Sequence, residues 1–224
     1  GEGYINEGRS IVNYTGHGSN GGWGNGCPMN NTNVNSLTNT NKLPFIWSVA
    51  CVNGEFHIGT CFAETWLRAT DSDGDPTGAI AVLMSTVNQS WSPPMDGQDE
   101  MNDILVESYD SNIKRTYGGL SMNGVMHMAD SYGSAGEVEI LYWTIFGDPS
   151  VVVRTDTPTD MNVSHSGIMI IGATEFSVET GTNGALVAVS RNGELLASIF
   201  TDATGGATLE FETPLDIPGA VDLV

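Results

Sequence analysis

The chain has 224 residues, 40% of them hydrophobic, which is enough apolar material for one large or two small globular cores. Twenty-seven acidic side chains against seven basic ones give a net charge of −20, which repels phosphate backbones and anionic lipid and so argues against nucleic acid or membrane surfaces as partners. No stretch reaches the roughly 18 apolar residues that a membrane span needs.

In chain order, Ser10 to Thr15 has the pattern of a strand, and the Gly- and Asn-rich run Gly16 to Asn35 is predicted to be a loop. Pro44 to Ala50 is a second, almost wholly apolar strand. Thr60 to Ala69 has helical spacing, and Thr77 to Met84 is a small and β-branched run suited to a buried parallel strand. Strand, helix, strand implies a right-handed crossover. Helices are expected over Asp96 to Tyr109, Gly118 to Ala129 and Glu137 to Ile145, ahead of a turn at Gly147-Asp148-Pro149. The polar segment Thr155 to Asp160, with its proline, marks a domain boundary, so residues 1–155 and 156–224 are expected to be separate domains. Beyond it the pattern is β-rich, and Asn192-Gly193 between two alternating runs signals a hairpin.

Two residues lie just past the first two strands: His17, in Asn13-Tyr14-Thr15-Gly16-His17-Gly18-Ser19, and Cys51, closing Phe45-Ile46-Trp47-Ser48-Val49-Ala50. Adjacent parallel strands would bring both to one sheet edge, where functional loops of α/β folds gather. A thiol beside an imidazole supports acyl transfer: sulfur attacks, the ring carries the proton, and backbone N–H groups hold the oxyanion. Gly18 and Cys51 are placed to supply those N–H groups, and a glycine lets substrate backbone come close. The pair reads as a cysteine peptidase.

The longer blocks Ile5 to Ser19, Val49-Ala50-Cys51-Val52-Asn53-Gly54, Cys61 to Glu64, Ser85 to Trp91, Gly97 to Asn102, Asn112 to Thr116 and Phe146 to Ser150 resemble the gingipain family of cysteine peptidases, densely from Ile5 to about Arg154. The resemblance implies a caspase-like three-layer α/β sandwich with a mostly parallel sheet, present in part, over residues 1–155, and a small all-β immunoglobulin-like sandwich over 156–224. It implies a secreted or cell-surface endopeptidase in which Cys51 is nucleophile and His17 proton carrier, with Thr15, Val49, Trp91 and Met95 walling the first specificity pocket. Because the opening residues resemble the middle of a catalytic domain, an N-terminal portion on a separate or missing segment is expected, with the residue that orients His17 lying there. Two other purposes fit the same scaffold, a sortase-like or processing component of surface secretion and a non-catalytic adhesin, although the intact His17, Gly18 and Cys51 argue against the second.

A preference for Arg or Lys before the scissile bond would need a carboxylate at the pocket base, since a buried cation must be paired. Asp96 is the local candidate, and its other reading is an N-cap of the helix that follows. Asp71, Asp73 and Asp75 form an oxygen-rich run, read either as a calcium site of the kind the resemblance implies or as a solvated turn. No cofactor is required for the chemistry. Three cysteines leave an odd thiol, assigned to Cys51, with Cys27 and Cys61 either bridged or both free. His127, among apolar neighbours, is expected to be a packed or edge imidazole.

Overall fold

The computed structural model describes residues 1–111, 113–155, 160–216 and 218–224. The chain divides into two compact units, Gly1–Asp156 and Thr157–Val224. Residues 156–159 of the expected boundary lie outside the described residues.

The first unit begins with a short helix α1 (Glu2–Glu7) and strand β1 (Ile11–Thr15). The run after β1 is not the plain loop its composition predicts. It folds into three two-residue strands, β2 (Gly18–Ser19), β3 (Gly22–Trp23) and β4 (Met29–Asn30), paired in that order, and a helix α2 (Asn31–Asn35). Polar composition hid this because the anchors are single residues: Trp23 and Met29 are buried, and the Asn30 side chain caps α2 by accepting the Thr32 and Asn33 N–H groups. Next come β5 (Phe45–Val49), α3 (Phe62–Arg68), β6 (Ala81–Ser85), α4 (Ser92–Leu105), α5 (Tyr117–Tyr132), α6 (Ser134–Ile140) and β7 (Trp143–Gly147).

Four strands make one sheet in the order β1-β5-β6-β7, parallel except for β7. Side chains alternate across β5 and β6: Ile46, Val82 and Met84 join Phe62, Trp66 and Val34 on one face, while Phe45, Trp47, Ala81 and Leu83 join Met101, Tyr117 and Leu120 on the other. This gives the three-layer architecture, and it explains why both strands read as unbroken apolar runs.

Three element boundaries differ from expectation. The strand predicted from Thr77 starts at Ala81, because Thr77 and Ala79 hydrogen-bond instead to the end of α3, through Ala69 and Trp66 carbonyls. Helix α4 starts at Ser92 rather than Asp96; Pro93 and Pro94 sit in its first turn, where missing N–H groups cost nothing. The helix expected from Glu137 to Ile145 stops at Ile140, and Trp143–Gly147 turns back as an antiparallel strand along β6, with Ser85 opposite Trp143. Aromatic and β-branched residues favour that pleated surface once a strand edge is offered.

The second unit is all β in its described residues, with β8 (Ser164–His165), β9 (Glu175–Glu179), β10 (Leu186–Arg191), β11 (Glu194–Phe200), β12 (Gly206–Glu210) and β13 (Asp222–Leu223). They form two three-stranded antiparallel sheets, β11-β10-β13 and β12-β9-β8, which share a core of Phe176, Val178, Val187, Val189, Leu209 and Phe211. The β10–β11 hairpin turns at Asn192 and Gly193, both at positive φ (52° and 80°), as the sequence predicts.

Candidate active site

Strands β1 and β5 run parallel and end together, with Thr15 opposite Val49 and the Gly16 N–H bonded to the Val49 carbonyl at 3.1 Å. His17 and Cys51 therefore leave neighbouring strand tips. Contact between the two departing loops is close. A Cβ added to Gly18 would lie 2.5 Å from the Cys51 carbonyl oxygen and 2.9 Å from both Ala50 Cβ and Asn53 Nδ2, so only glycine fits where the His17 loop crosses the Cys51 loop.

Each loop is held by its own bonds. The His17 N–H donates to Asn25 Oδ1 at 2.9 Å, its carbonyl accepts the Gly24 N–H at 2.8 Å and the Tyr14 hydroxyl at 2.9 Å, and Tyr14 stacks on Trp23 at 4.4 Å. Burial pushes the Tyr14 phenol above its ordinary range, keeping it a donor. In the other loop, Val52 adopts φ 53°, a left-handed conformation costly for a β-branched residue. Its N–H reaches the Val87 carbonyl at 3.1 Å, and the wholly buried Asn53 side chain accepts from Ser48 Oγ while donating to the Ser19 and Gly22 carbonyls at 2.8 and 3.1 Å. Among the described residues the Cys51 N–H has no acceptor, which leaves it open to an oxyanion.

Cys51 lines a hollow with Gly16, Val49, Ala50, Gln89, Ser90 and Trp91. The indole of Trp91 meets the His17 ring edge-on at 5.4 Å, so one aromatic plane touches both the imidazole and the hollow that holds the thiol. Larger hollows in the second unit, one lined by Arg191, Leu195, Phe211 and Pro214, carry no Cys or His and so offer no such chemistry. The chain is similar over 195 residues to gingipain R2 of Porphyromonas gingivalis, at 49% identity, covering 87% of this chain and 26% of that protein. The model of peptidase family C25 matches residues 2–154.

This chain belongs to peptidase family C25.

Gingipain R1 of Porphyromonas gingivalis is 48% identical over 206 residues, covering 92% of this chain and 20% of that one. The crystal structure of the Arg-specific cysteine proteinase gingipain R superposes with a TM-score of 0.81 at 44% identity, over 96% of this chain and 49% of that one. The chain thus spans about a quarter or less of its curated C25 relatives and about half of the solved one.

Of the pocket residues inferred by resemblance, Val49 and Trp91 line the hollow beside Cys51. Thr15 is not among the lining residues; its hydroxyl donates to Gln98 Oε1 at 2.8 Å. Met95 lies one turn into α4, its N–H on the Trp91 carbonyl at 3.0 Å, and is not among the lining residues. Asp96 is not the N-cap and does not line the hollow beside Cys51: it lies inside α4, where Oδ2 approaches His127 Nε2 on α5 at 3.2 Å. The prolines at the helix start moved the cap upstream to Trp91. His127 is an edge imidazole, as expected, about a third exposed in that pair, with Ser131 Oγ at 3.1 Å from the same nitrogen.

The run with Asp71, Asp73 and Asp75 takes the form of a hydrogen-bonded turn, the second of its two readings. Asp71 turns onto its own loop, accepting the Asp73 and Asp75 N–H groups at 2.9 Å each and the Thr40 hydroxyl at 3.2 Å. These backbone donors hold its carboxyl below the usual range, and no group of three or more His, Cys, Asp or Glu able to share an ion forms among the described residues. Cys27, Cys51 and Cys61 are all free thiols, so the Cys27–Cys61 bridge is absent; burial pushes the Cys61 thiol up and keeps it protonated.

Three residues with no role assigned from sequence complete the site. Gln98 from α4 is buried and donates to the Tyr14 and Trp47 carbonyls at 3.3 and 3.0 Å, fixing the tips of β1 and β5 in register. Gln89 accepts the Ala50 N–H on Oε1 at 3.1 Å, and its carbonyl lies 3.8 Å from Cys51 Sγ. Asn53 ties the two loops. Polar residues in mostly apolar or turn-rich blocks were the available signal, but a sequence does not say which carbonyl an amide will meet.

Proposed function

We propose that the chain is the part of a secreted or cell-surface cysteine endopeptidase that carries its nucleophile and proton carrier, cutting after arginine. The observation that carries this reading is Trp91 standing edge-on to His17 while lining the Cys51 hollow. Sγ of Cys51 gives its proton to the His17 ring and attacks the scissile carbonyl carbon. Negative charge on the carbonyl oxygen is met by the Gly18 and Cys51 N–H groups, in a place that costs no reorganisation. Collapse breaks the C–N bond, and the leaving amine takes the proton from His17. Water, deprotonated by the same ring, then hydrolyses the thioester and restores the thiol.

The arginine preference is supported by the two gingipain R relatives and by a flat indole along which a long cationic side chain can lie. Asp96 is occupied by His127, so the carboxylate that pairs the guanidinium, and the residue that orients His17, are proposed to lie in the further length that the solved relative has. The second unit is read as an immunoglobulin-like module. Assay of a peptide panel differing only before the scissile bond tests the whole reading: arginine substrates are cut, neutral ones are not, and Cys51→Ala cuts none. Turnover retained in Cys51→Ala, or indifference to the residue before the bond, would refute it.

A further inference from the structure

Glu139 on α6 is only 5% exposed, and no step of the proposed reaction uses it. Its Oε1 accepts the Ser90 N–H at 3.0 Å, and its Oε2 is buried with no partner among the described residues. Ser90, Gln89 and Trp91 all line the Cys51 hollow. The carboxylate therefore grips the middle of that wall from behind, from 49 residues along the chain.

The grip is anchored. Gly136 allows α6 to lie directly on the Met128 carbonyl of α5, where any Cβ would clash. Just past α6, the Tyr142 carbonyl accepts both the N–H and the hydroxyl of Thr86, at 2.8 and 3.1 Å. The segment from Thr86 to Trp91 is thus pinned near both ends by one short stretch, residues 139–142. Its middle touches the chemistry, through Gln89 on the Ala50 N–H and through the Gln89 carbonyl near the Cys51 sulfur.

Energetically the choice is a poor one for stability. A buried carboxylate with an idle oxygen is costly, and an apolar side chain of similar length would cost less. What the carboxylate adds is one strong, directed acceptor for a single amide in the pocket wall.

Resting on the cysteine-peptidase reading, we propose that Glu139 is a positioning residue of the specificity pocket: it fixes the Ser90 amide and thereby sets Trp91 against His17 and Cys51. Three forms of the full-length chain test this: wild type, Glu139→Met, which removes the acceptor, and Glu139→Gln, which keeps an oxygen for Ser90. Two rates are read at Cys51, alkylation by iodoacetamide, which needs no pocket, and by an arginyl chloromethyl ketone peptide, which does. In Glu139→Met the peptidyl rate is expected to fall about tenfold relative to the iodoacetamide rate, with faster deuterium exchange at Ser90 and a melting temperature equal to or above wild type. Glu139→Gln is expected to stay near wild type in the ratio. A wild type that takes iodoacetamide but not the peptidyl reagent would break the peptidase reading and the positioning role with it. A labelled wild type whose ratio is unchanged in Glu139→Met, or a Glu139→Gln that matches Glu139→Met, would overturn the positioning role alone.

Discussion

The loops that leave β1 and β5 carry the two proposed reacting groups, His17 and Cys51, on opposite plans. The His17 loop is held by folded structure: a miniature sheet, a stacked Tyr14–Trp23 pair and three hydrogen bonds around one residue. The Cys51 loop pairs no strands of its own; it is bent by a β-branched residue at φ 53° and tied to its surroundings by separate bonds, through the buried Asn53 amide, the Val52 and Gly54 N–H groups and Gln89. The difference teaches that the exposed His17 is steadied from its backbone, while Cys51 is presented by a strained turn that the surrounding packing enforces.

The sharpest way to break this pairing is at the crossing point. Gly18→Ala drives a methyl into the Cys51 carbonyl and moves the N–H proposed to meet the oxyanion, so kcat/KM is expected to fall about 100-fold or more. A value within fivefold of wild type would show that the loops do not depend on that close approach. Next comes Asn53→Ala, which strands the buried Gly22 carbonyl, the Ser19 carbonyl and the Ser48 hydroxyl; a loss of about 3 kcal/mol in denaturant unfolding is expected.

Val52→Gly tests strain itself. Glycine accepts the positive φ freely, so relief in the folded state of about 1 kcal/mol and the greater freedom of the unfolded chain nearly cancel. Melting temperature is expected to move by no more than a few degrees, while activity falls several-fold because the turn that aims Cys51 is loosened. A pure stability change with full activity would assign the strain no role.

The smallest effect lies outside both loops, as a control. Asp71, held below its ordinary pKa by the Asp75 and Asp73 N–H groups, contributes stability that is full above the unfolded carboxyl value and is lost as pH falls through the folded one. Asp71→Asn is therefore expected to lower the melting temperature slightly at pH 7, with the gap from wild type closing under acid conditions. Activity at pH 7 should not change.

Much of the fold was legible in advance because alternating and unbroken apolar runs have few ways to be buried. Phe45 to Val49 and Ala81 to Leu83 could only be central strands, and Asn192-Gly193 could only be a tight turn. What misled were places where a neighbour decided. The helix expected through Ile145 became a strand because β6 had a free edge, and Asp96 slipped from cap to helix interior because two prolines opened α4 earlier. At Asp71 to Asp75, where a calcium site and a turn were both open, the bonds formed are those of a turn, since Asp71 accepts two N–H groups of its own loop.

Residue order alone determined that an imidazole and a thiol follow two adjacent strand-forming runs, since hydrophobic periodicity is a local property and survives without the fold. Only the tertiary structure decided which amide meets which carbonyl. Gln98 at the strand tips, Asn53 between the loops and Glu139 behind Ser90 all act across long stretches of chain, and hydrogen bonds of that kind are chosen by packing geometry rather than by neighbours in sequence.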